Sequence, residues 1–502
     1  MSQPQTNLAR LIRICGWLTV AAHVFLIPIS YGIAAVTPFG RTQPEETAFL
    51  NAVVGAVKGF SPWALAWIPV PGAADSILGD ATWRSLLLAG SLLISTSAFL
   101  LVFNRLASNP TDVHESTERA LLRWAVFFAA ASVFIYPMMT QDFWLSVVWG
   151  RMIAAGENPF YEYFSSHALA GTPLFFYPTQ MTYGPLWALI SGGVSILGRE
   201  NALLEFLLFK LLLAAGWLLS VLLVRRILTN EPPARRALGI CLFAWLPGSL
   251  HFSVAEGHND ILLALFVLLW LFYVQRGNHY ASPAALAASV LTKYVTAPLL
   301  ALELAHGLSR KDVLKPRYVL SLGSVAVLAV LVFLPFWRDP GLFSPVLSMQ
   351  TWEFLTPTQA LVVVGQWTHL PLSERKANLI VGALLGVCLV YYAWQYRRRQ
   401  DFNGLVEMVL TTTLSILFLV VGHVWPWFVL WLLGPAAVAI KSAQLRIVFP
   451  ILVLSPFVHL YWVMADSWSL LHYASVFFYS AVAVGFLILR PAFLNGSTGT
   501  KA

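Results

Sequence analysis

The stretch ALLRWAVFFAAASVFIYPMMTQDFWLSVVWGR (residues 120–151) places the carboxylate of Asp142 directly after an apolar run long enough to cross a bilayer. A short amphipathic turn carrying Arg151 follows, and the breaker Gly156-Glu157-Asn158-Pro159-Phe160 comes after it. A carboxylate at a membrane surface is tolerated, whereas one inside the hydrocarbon costs several kilocalories per mole. Asp142 is therefore either an incidental surface charge or the polar centre of a functional site.

The composition restricts the class of protein. Of the 502 residues, 58% are hydrophobic and 11% are charged, whereas a soluble chain has about 25% charged residues. We therefore predict an all-α integral membrane protein with many spans. The net charge of +8 does not indicate nucleic-acid binding, because the basic residues form short clusters between apolar runs. Cys15, Cys241 and Cys388 lie inside apolar runs, with neither disulfide nor metal-ligand spacing.

Runs of about 20 apolar residues are candidate transmembrane helices. With Arg10 and Arg13 in the cytoplasm, about twelve crossings place the other basic clusters on that side as well. We therefore expect a bundle of about 12 to 14 transmembrane helices with both termini in the cytoplasm. The candidate spans are roughly 14–36, 85–104, 120–139, 201–224, 237–254, 260–275, 318–336, 376–396, 405–421, 426–440, 447–464 and 470–489.

The same orientation places the longest loops on the outer side of the membrane, at roughly 37–84, 140–200 and 337–375. Asp142 and the junction at 256–260 fall on that side, although the orientation depends only on Lys and Arg. The agreement favours one outward-facing polar site.

Two apolar segments are predicted not to cross singly. Tyr183-Gly184-Pro185 to Leu197 is short and begins with a breaker, which predicts a surface or half-inserted helix. The segment at roughly 282–308 is interrupted by Lys293 and Pro298, which predicts two short helices arranged as a V. Irregular backbone at membrane depth is tolerated only where protein buries it or where it lines a cavity.

The segment Glu256-Gly257-His258-Asn259-Asp260 opens a strongly apolar helix with three ionisable groups and an amide. Glu256 and Asp260 share a face if the turn is helical. The cluster could bind a phosphate through His258 and helix N-terminal amides, or a divalent cation through its carboxylates. The alternative is helix capping within a hydrated loop.

Asp142 is a candidate general base, and it is equally a candidate helix N-cap. Lys293 interrupts an apolar run and is interpreted as the one deep charge, either contacting a phosphate or snorkelling to the surface. Arg151 could bind phosphate or lipid headgroups. His423 could assist acid–base chemistry and Trp425 could stack on a sugar, or both could belong to an aromatic belt at a Pro turn.

Five segments in order resemble motifs of the bacterial GT-C superfamily, the polyprenol-phosphate-mannose-dependent mannosyltransferases. Asp142 to Phe160 is similar to the pattern D-x-x-x-x-x-W-x-G-R followed by A-G-x-N-P-Y, and Tyr183-Gly184-Pro185-Leu186 follows it as in that family. The remaining three segments resemble E-x-H-N-D, A-L-x-K-Y and x-P-W-Y-x-L-W, at residues 256–260, 288–294 and 425–428.

The resemblance implies a GT-C-like bundle whose long outer loops carry short surface helices. It implies that Asp142 activates an acceptor hydroxyl and that a polyprenyl-phosphate sugar, most simply mannose, is the donor in an inverting transfer to a glycolipid or glycan. It implies that His258, Asn259, Asp260, Lys293 and His423 line the pocket; the residues themselves suggest adding Arg151, Glu256 and Trp425.

This interpretation divides the chain into three parts. Residues 1–119 form an N-terminal two-span extension with an outer loop, and residues 120–440 form the catalytic membrane core. Residues 441–502 form the C-terminal spans and a short cytoplasmic tail. Relatives usually place the aspartate after the first span, whereas here two further spans precede it. The alternative function is a polytopic transporter or lipid-linked sugar flippase, which would carry facing ionisable groups at mid-membrane.

Overall fold

The computed structural model describes residues 3–36, 81–138, 140–169, 179–310, 315–348, 357–369, 372–420, 425–440, 442 and 444–465. Within these ranges the secondary structure is helical, with no strand. Most of the first predicted outer loop, His423 and the predicted span at 470–489 lie outside the described residues. The protein is an all-α membrane protein, as the composition predicts.

The α-helices are α1 Gln3–Val36, α2 Ala81–Ser108, α3 Glu115–Ser132, α4 Asp142–Ala154, α5 Ser166–Leu169, α6 Pro185–Gly198, α7 Ala202–Ile227, α8 Pro233–Ala244, α9 Pro247–Leu250, α10 Asp260–Gln275, α11 Ala281–Thr292, α12 Leu300–Ser309, α13 Pro316–Phe333, α14 Ser344–Ser348, α15 Pro357–Trp367, α16 Glu374–Arg399, α17 Phe402–Ser415, α18 Leu430–Val438 and α19 Leu445–Ala465. Short 3-10 helices lie at Pro110–Asp112, Tyr294–Leu299, Pro340–Phe343 and Pro426–Val429, and π-helical turns at His251–Ala255 and Ile416–Val420.

Six helices in the described part of the chain are long and apolar enough to cross a membrane alone, namely α1, α2, α7, α13, α16 and α17 with its π-helical extension. A seventh crossing is formed if α8 and Pro247–Ala255, which meet at a 51° bend, count as one span. Five shorter apolar helices accompany them. The count of about 12 to 14 crossings therefore stays a prediction.

Two breaks predicted from the sequence are confirmed. Helix α6 begins at Pro185, because proline has no amide hydrogen to leave unpaired in a first turn. Helix α11 ends at Thr292, and Lys293 has an extended backbone (φ −155°, ψ 121°) before the 3-10 turn that leads into α12. Tyr183 lies just before the first break, and Lys293 lies at the second.

The two N-terminal spans pack into the bundle. Helix α1 contacts α2 and α3, and α2 contacts α8 and α19. Their inner faces form an apolar cluster with residues from the turn after α3 and from the π-helical turn: Leu26, Ile29, Leu88, Leu92, Ile135, Met138 and Ala255. The two spans that precede Asp142 in the chain thus pack against residues 135–138, the segment that leads to Asp142.

Candidate active site

Asp142 is the first residue of α4, and its carboxylate does not cap that helix. Gln141 occupies the N-cap position without a side-chain cap bond. The Tyr183 hydroxyl donates to Asp142 Oδ2 at 3.1 Å, and His258 Nδ1 lies 3.5 Å from the same oxygen. The Asp142 side chain keeps 26% of its surface exposed. The N-cap interpretation is therefore wrong, and the carboxylate belongs to a partly open polar cluster.

The surroundings of Asp142 keep it ionised at neutral pH. Burial acts to raise the pKa of the carboxyl, but the His258 ring, the charge of Lys293 and the Tyr183 hydroxyl together hold that pKa below its ordinary value. Burial and the neighbouring charges of Asp142 and Asp260 raise the pKa of Tyr183 well above its usual range. Tyr183 therefore remains a hydrogen-bond donor, and Asp142 remains a proton acceptor.

The junction at the start of α10 supplies three further polar side chains, all buried. The His258 ring stacks on Trp427 with centroids 4.2 Å apart, and Trp427 stacks on Trp425 at 4.9 Å. Asp260 Oδ1 accepts hydrogen bonds from Lys293 Nζ at 2.8 Å and from the indole of Trp431. Helices distant in the chain thus meet at one polar cluster.

Lys293 is held by this cluster. Besides the contact with Asp260, its ammonium lies 5.0 Å from the ring centre of Phe428, 5.1 Å from Tyr183 and 5.4 Å from Trp431. Aromatic faces attract a cation at such distances. Of the two alternatives for a lysine at this depth, the structure favours pairing with an anionic group over snorkelling to the surface.

Several buried polar atoms of the cluster lack a hydrogen-bond partner within the described part of the chain. They are both amide atoms of Asn259, Oδ2 of Asp260 and Nε2 of His258, while the 3.5 Å contact of His258 Nδ1 is an ion-pair distance without full hydrogen-bond geometry. Each such atom costs about 1–3 kcal/mol when left unsatisfied. A group of them beside an ionised carboxylate is typical of a ligand site.

We name Asp142, Tyr183, His258, Asn259, Asp260 and Lys293 the Asp142 cluster. Two glycines allow its segments to approach. The Gly184 amide donates to the Thr292 carbonyl at 2.9 Å, and a Cβ there would lie 2.0 Å from the Leu291 carbonyl oxygen. Gly257 has φ +79°, and a Cβ there would lie 2.4 Å from the Phe143 ring.

We expect Gly257→Ala to lower the rate of the sugar transfer implied by the family resemblance at least tenfold, because the new methyl group must push Phe143 and its neighbour Asp142 away from His258. Gly156→Ala is the matched control: Gly156 has φ +82°, but a methyl group there would have nothing within 4 Å. Both variants carry the backbone strain of a left-handed alanine, about 1–2 kcal/mol. Initial rates and thermal unfolding of both variants check this, and equal rates would contradict it.

A sequence model described as "Alpha-(1->6)-mannopyranosyltransferase, N-terminal domain" matches residues 47–306, more than half of the chain. The chain belongs to this family. It is a membrane glycosyltransferase that transfers mannose. No curated protein sequence matches it. The matched region of the mannosyltransferase contains the whole Asp142 cluster, whereas Trp425, Trp427 and Trp431 lie beyond it.

Two predicted site residues of the mannosyltransferase lie apart from the Asp142 cluster. Arg151 is nine residues along α4, about 13 Å by helix rise, and is buried against Glu205, with Nε and Nη2 at 2.9 and 2.6 Å from Oε2. Glu256 is fully buried, accepts from the Met138 amide at 3.4 Å and lies 4.0 Å from His251.

The cation site considered for Glu256 and Asp260 is not formed. Their carboxylates face different partners, and in the described part of the mannosyltransferase no three His, Cys, Asp or Glu residues could hold a metal ion together. Trp425 is half-buried at the outer end of the ring stack.

Sequence reasoning missed Tyr183, Trp431 and Lys210 as contributors to this region. The interpretation of Lys293 as the one deep charge is wrong, because Lys210 lies inside the spanning helix α7, more than two turns from its start, and is fully buried. A lone lysine inside an apolar span is a signal that could have identified it. Tyr183 begins the Tyr183-Gly184-Pro185-Leu186 segment and Trp431 occupies the last position of the pattern x-P-W-Y-x-L-W, so the motifs carried a signal for both.

Proposed function

We propose that this membrane mannosyltransferase takes mannose from a polyprenyl-phosphate donor and transfers it to a hydroxyl of a glycolipid or cell-envelope glycan. We place the reaction at the outer face of the plasma membrane, with both termini in the cytoplasm, and propose an α-1,6 linkage as in the family's description. The observation that carries the proposal is the ionised, partly exposed Asp142 beside buried polar atoms that lack protein partners within the described residues.

Asp142 acts as the general base. The contact from the Tyr183 hydroxyl and the 3.5 Å contact from His258 both fall on Oδ2, and Oδ1 is the oxygen we assign to the acceptor. In the reaction, Oδ1 accepts the proton of the acceptor hydroxyl while the acceptor oxygen bonds to the anomeric carbon. The bond from that carbon to the phosphate oxygen breaks, and the phosphate leaves with the electron pair. A β-linked donor then gives an α-linked product.

The donor phosphate lies against Lys293 and Asn259. Lys293 is the cation of the Asp142 cluster, and its bond to Asp260 can be exchanged for one to a phosphate oxygen. The Asn259 amide is 3% exposed and supplies donors that no protein group uses within the described part of the chain. Preorganised donors aimed at a leaving group with developing charge are the usual source of rate enhancement in such sites.

The ring stack of His258, Trp427 and Trp425 forms one wall of the proposed sugar site. The last ring of the stack, Trp425, is half-buried, so part of its surface is exposed. A large aromatic face with a polar edge suits a pyranose, which has an apolar face and hydroxyl rim. His423 precedes this segment and stays a proposed pocket residue.

Labelled donors separate the candidate functions. The full-length protein in nanodiscs or vesicles is incubated with radiolabelled polyprenyl-phosphate mannose and an α-mannoside acceptor. The enzyme gives a covalent, mannosylated product. A transporter or flippase gives movement of label across the vesicle membrane without product, and that outcome would overturn the proposal, as would the absence of both.

The pH dependence of the transfer is expected to report Asp142. Asp142 is a base only when ionised, so the rate is full above its pKa and declines as the pH falls through it. Because that pKa is held below its ordinary value, this decline is expected only below about pH 4. Tyr183→Phe removes one stabilising hydrogen bond and is expected to move the decline upward by about 1 pH unit.

The matched control is Tyr161→Phe, since the Tyr161 hydroxyl donates to the Asp339 carbonyl at 2.6 Å in the outer loops. Rate against pH, from the acid side of the decline up to neutrality, is measured for both variants. A Tyr183→Phe profile that coincides with the Tyr161→Phe profile would count against Asp142 as the base.

A further inference from the structure

Lys210 is a buried cation whose hydrogen-bond partners are backbone carbonyls. It lies more than two turns inside α7, is fully buried, and donates to the carbonyls of Ile135 at 2.8 Å, Val254 at 2.7 Å and Ala255. An ammonium group has three hydrogens, so every donor is used. A charge in a spanning helix is costly unless it has such partners.

These carbonyls belong to two segments that lie far apart in the chain. Ile135 follows α3, whereas Val254 and Ala255 end the π-helical turn. The carboxylate of Glu256 lies close enough to attract the Lys210 ammonium, and it accepts the Met138 amide at 3.4 Å. Lys210 and Glu256 therefore both join residues 135–138 to residues 254–256.

The joined segments lead directly to the reacting groups. Asp142 comes four residues after Met138, and His258 comes two residues after Glu256. The segments that the Lys210 contacts join therefore carry the two groups, Asp142 and His258, that lie 3.5 Å apart. Helix α1 also contacts residues 135–138, because the Ser30 hydroxyl accepts a hydrogen bond from the Tyr136 amide at 2.9 Å.

We propose that Lys210 is a positioning residue for mannosyl transfer, which acts through the separation of Asp142 and His258 and does not contact substrate. The inference rests on the proposed role of Asp142. It gives Glu256 a positioning role beside Lys210, in place of the substrate contact expected from the sequence.

The test is Lys210→Met in the full chain. We expect kcat per folded molecule to fall at least about tenfold while KM for donor and acceptor changes less than about threefold, because a shift of about 1 Å at a reacting group costs rate more than binding. Amide hydrogen exchange is expected to become faster in the peptides that cover residues 135–142 and 254–260, since their cross-link is lost.

Glu118→Gln is the matched control. Glu118 is a fully buried carboxylate paired with Arg225 at 3.4 Å and Arg236 at 2.7 Å. Arg225 is on α7, fifteen residues beyond Lys210 and about 22 Å along the helix. The control variant is expected to lose stability while keeping kcat within about twofold of the wild-type value, with exchange at residues 135–142 and 254–260 unchanged.

The proposal is overturned if a folded Lys210→Met protein keeps kcat within about twofold of the wild-type value, or if only its KM rises. If that variant does not fold, Lys210→Gln, which keeps a polar end but cannot donate to all three carbonyls, is measured with the same expected and overturning results. Hydrogen exchange needs no substrate. Wild-type protein that makes no product therefore counts against the proposed donor, whereas unchanged exchange counts against Lys210.

Discussion

Asp142→Asn is expected to abolish mannosyl transfer while the protein remains folded. An amide cannot accept the proton of the acceptor hydroxyl, and removal of a general base typically costs about 10²–10⁴-fold in rate. Asparagine has the same shape and retains a carbonyl oxygen that can accept the Tyr183 hydroxyl. We therefore expect kcat to fall by about 10³-fold or more, with little change in thermal unfolding. Initial rates with labelled donor measure it.

The control for Asp142→Asn is Glu162→Gln. Glu162 is another acid, in the loop between α4 and α5, and Arg338 beside it holds the pKa of its carboxyl below the usual value. It is partly exposed and pairs with Arg338 at 2.5 Å, outside the Asp142 cluster. We expect its rate to stay within about twofold of the wild-type rate, because an exposed ion pair contributes about 0–1 kcal/mol. Near-wild-type turnover by Asp142→Asn would refute the proposed mechanism.

Arg151→Met is expected to cause the largest loss of stability. Arg151 and Glu205 have side chains only 1% and 0% exposed, and the guanidinium also donates to the Glu200 carbonyl at 3.1 Å. Removal of the arginine leaves a buried carboxylate without its cation, which typically costs about 3–5 kcal/mol in the free energy of unfolding. Thermal or denaturant unfolding in detergent measures the loss.

The double variant Arg151→Met with Glu205→Gln is expected to recover part of that loss, because no buried charge is left unpaired. The pair of variants also separates the two roles considered for Arg151. If Arg151 contacts substrate, the single variant raises KM at normal stability, and the double variant does not recover. That result would contradict the structural role inferred from the Glu205 contact.

The sequence is sufficient for those features that depend on local chemistry. The apolar runs predict the membrane class, because a span needs only length and hydropathy. The breaks at Pro185 and Lys293 are predictable because proline starts a helix and a cation interrupts an apolar one. Ordered motifs place Asp142, His258, Asn259, Asp260 and Lys293 in one candidate site, and the structure brings these five together.

The tertiary structure alone decides which distant residue each polar group meets. Glu205, 54 residues from Arg151, takes Arg151 out of the candidate site, and Trp431, 171 residues from Asp260, enters it. Nothing local distinguishes a guanidinium that will bind phosphate from one that will bind a buried carboxylate. Membrane class and breaks are properties of a segment, whereas these pairings are properties of packing, so only the folded chain determines them.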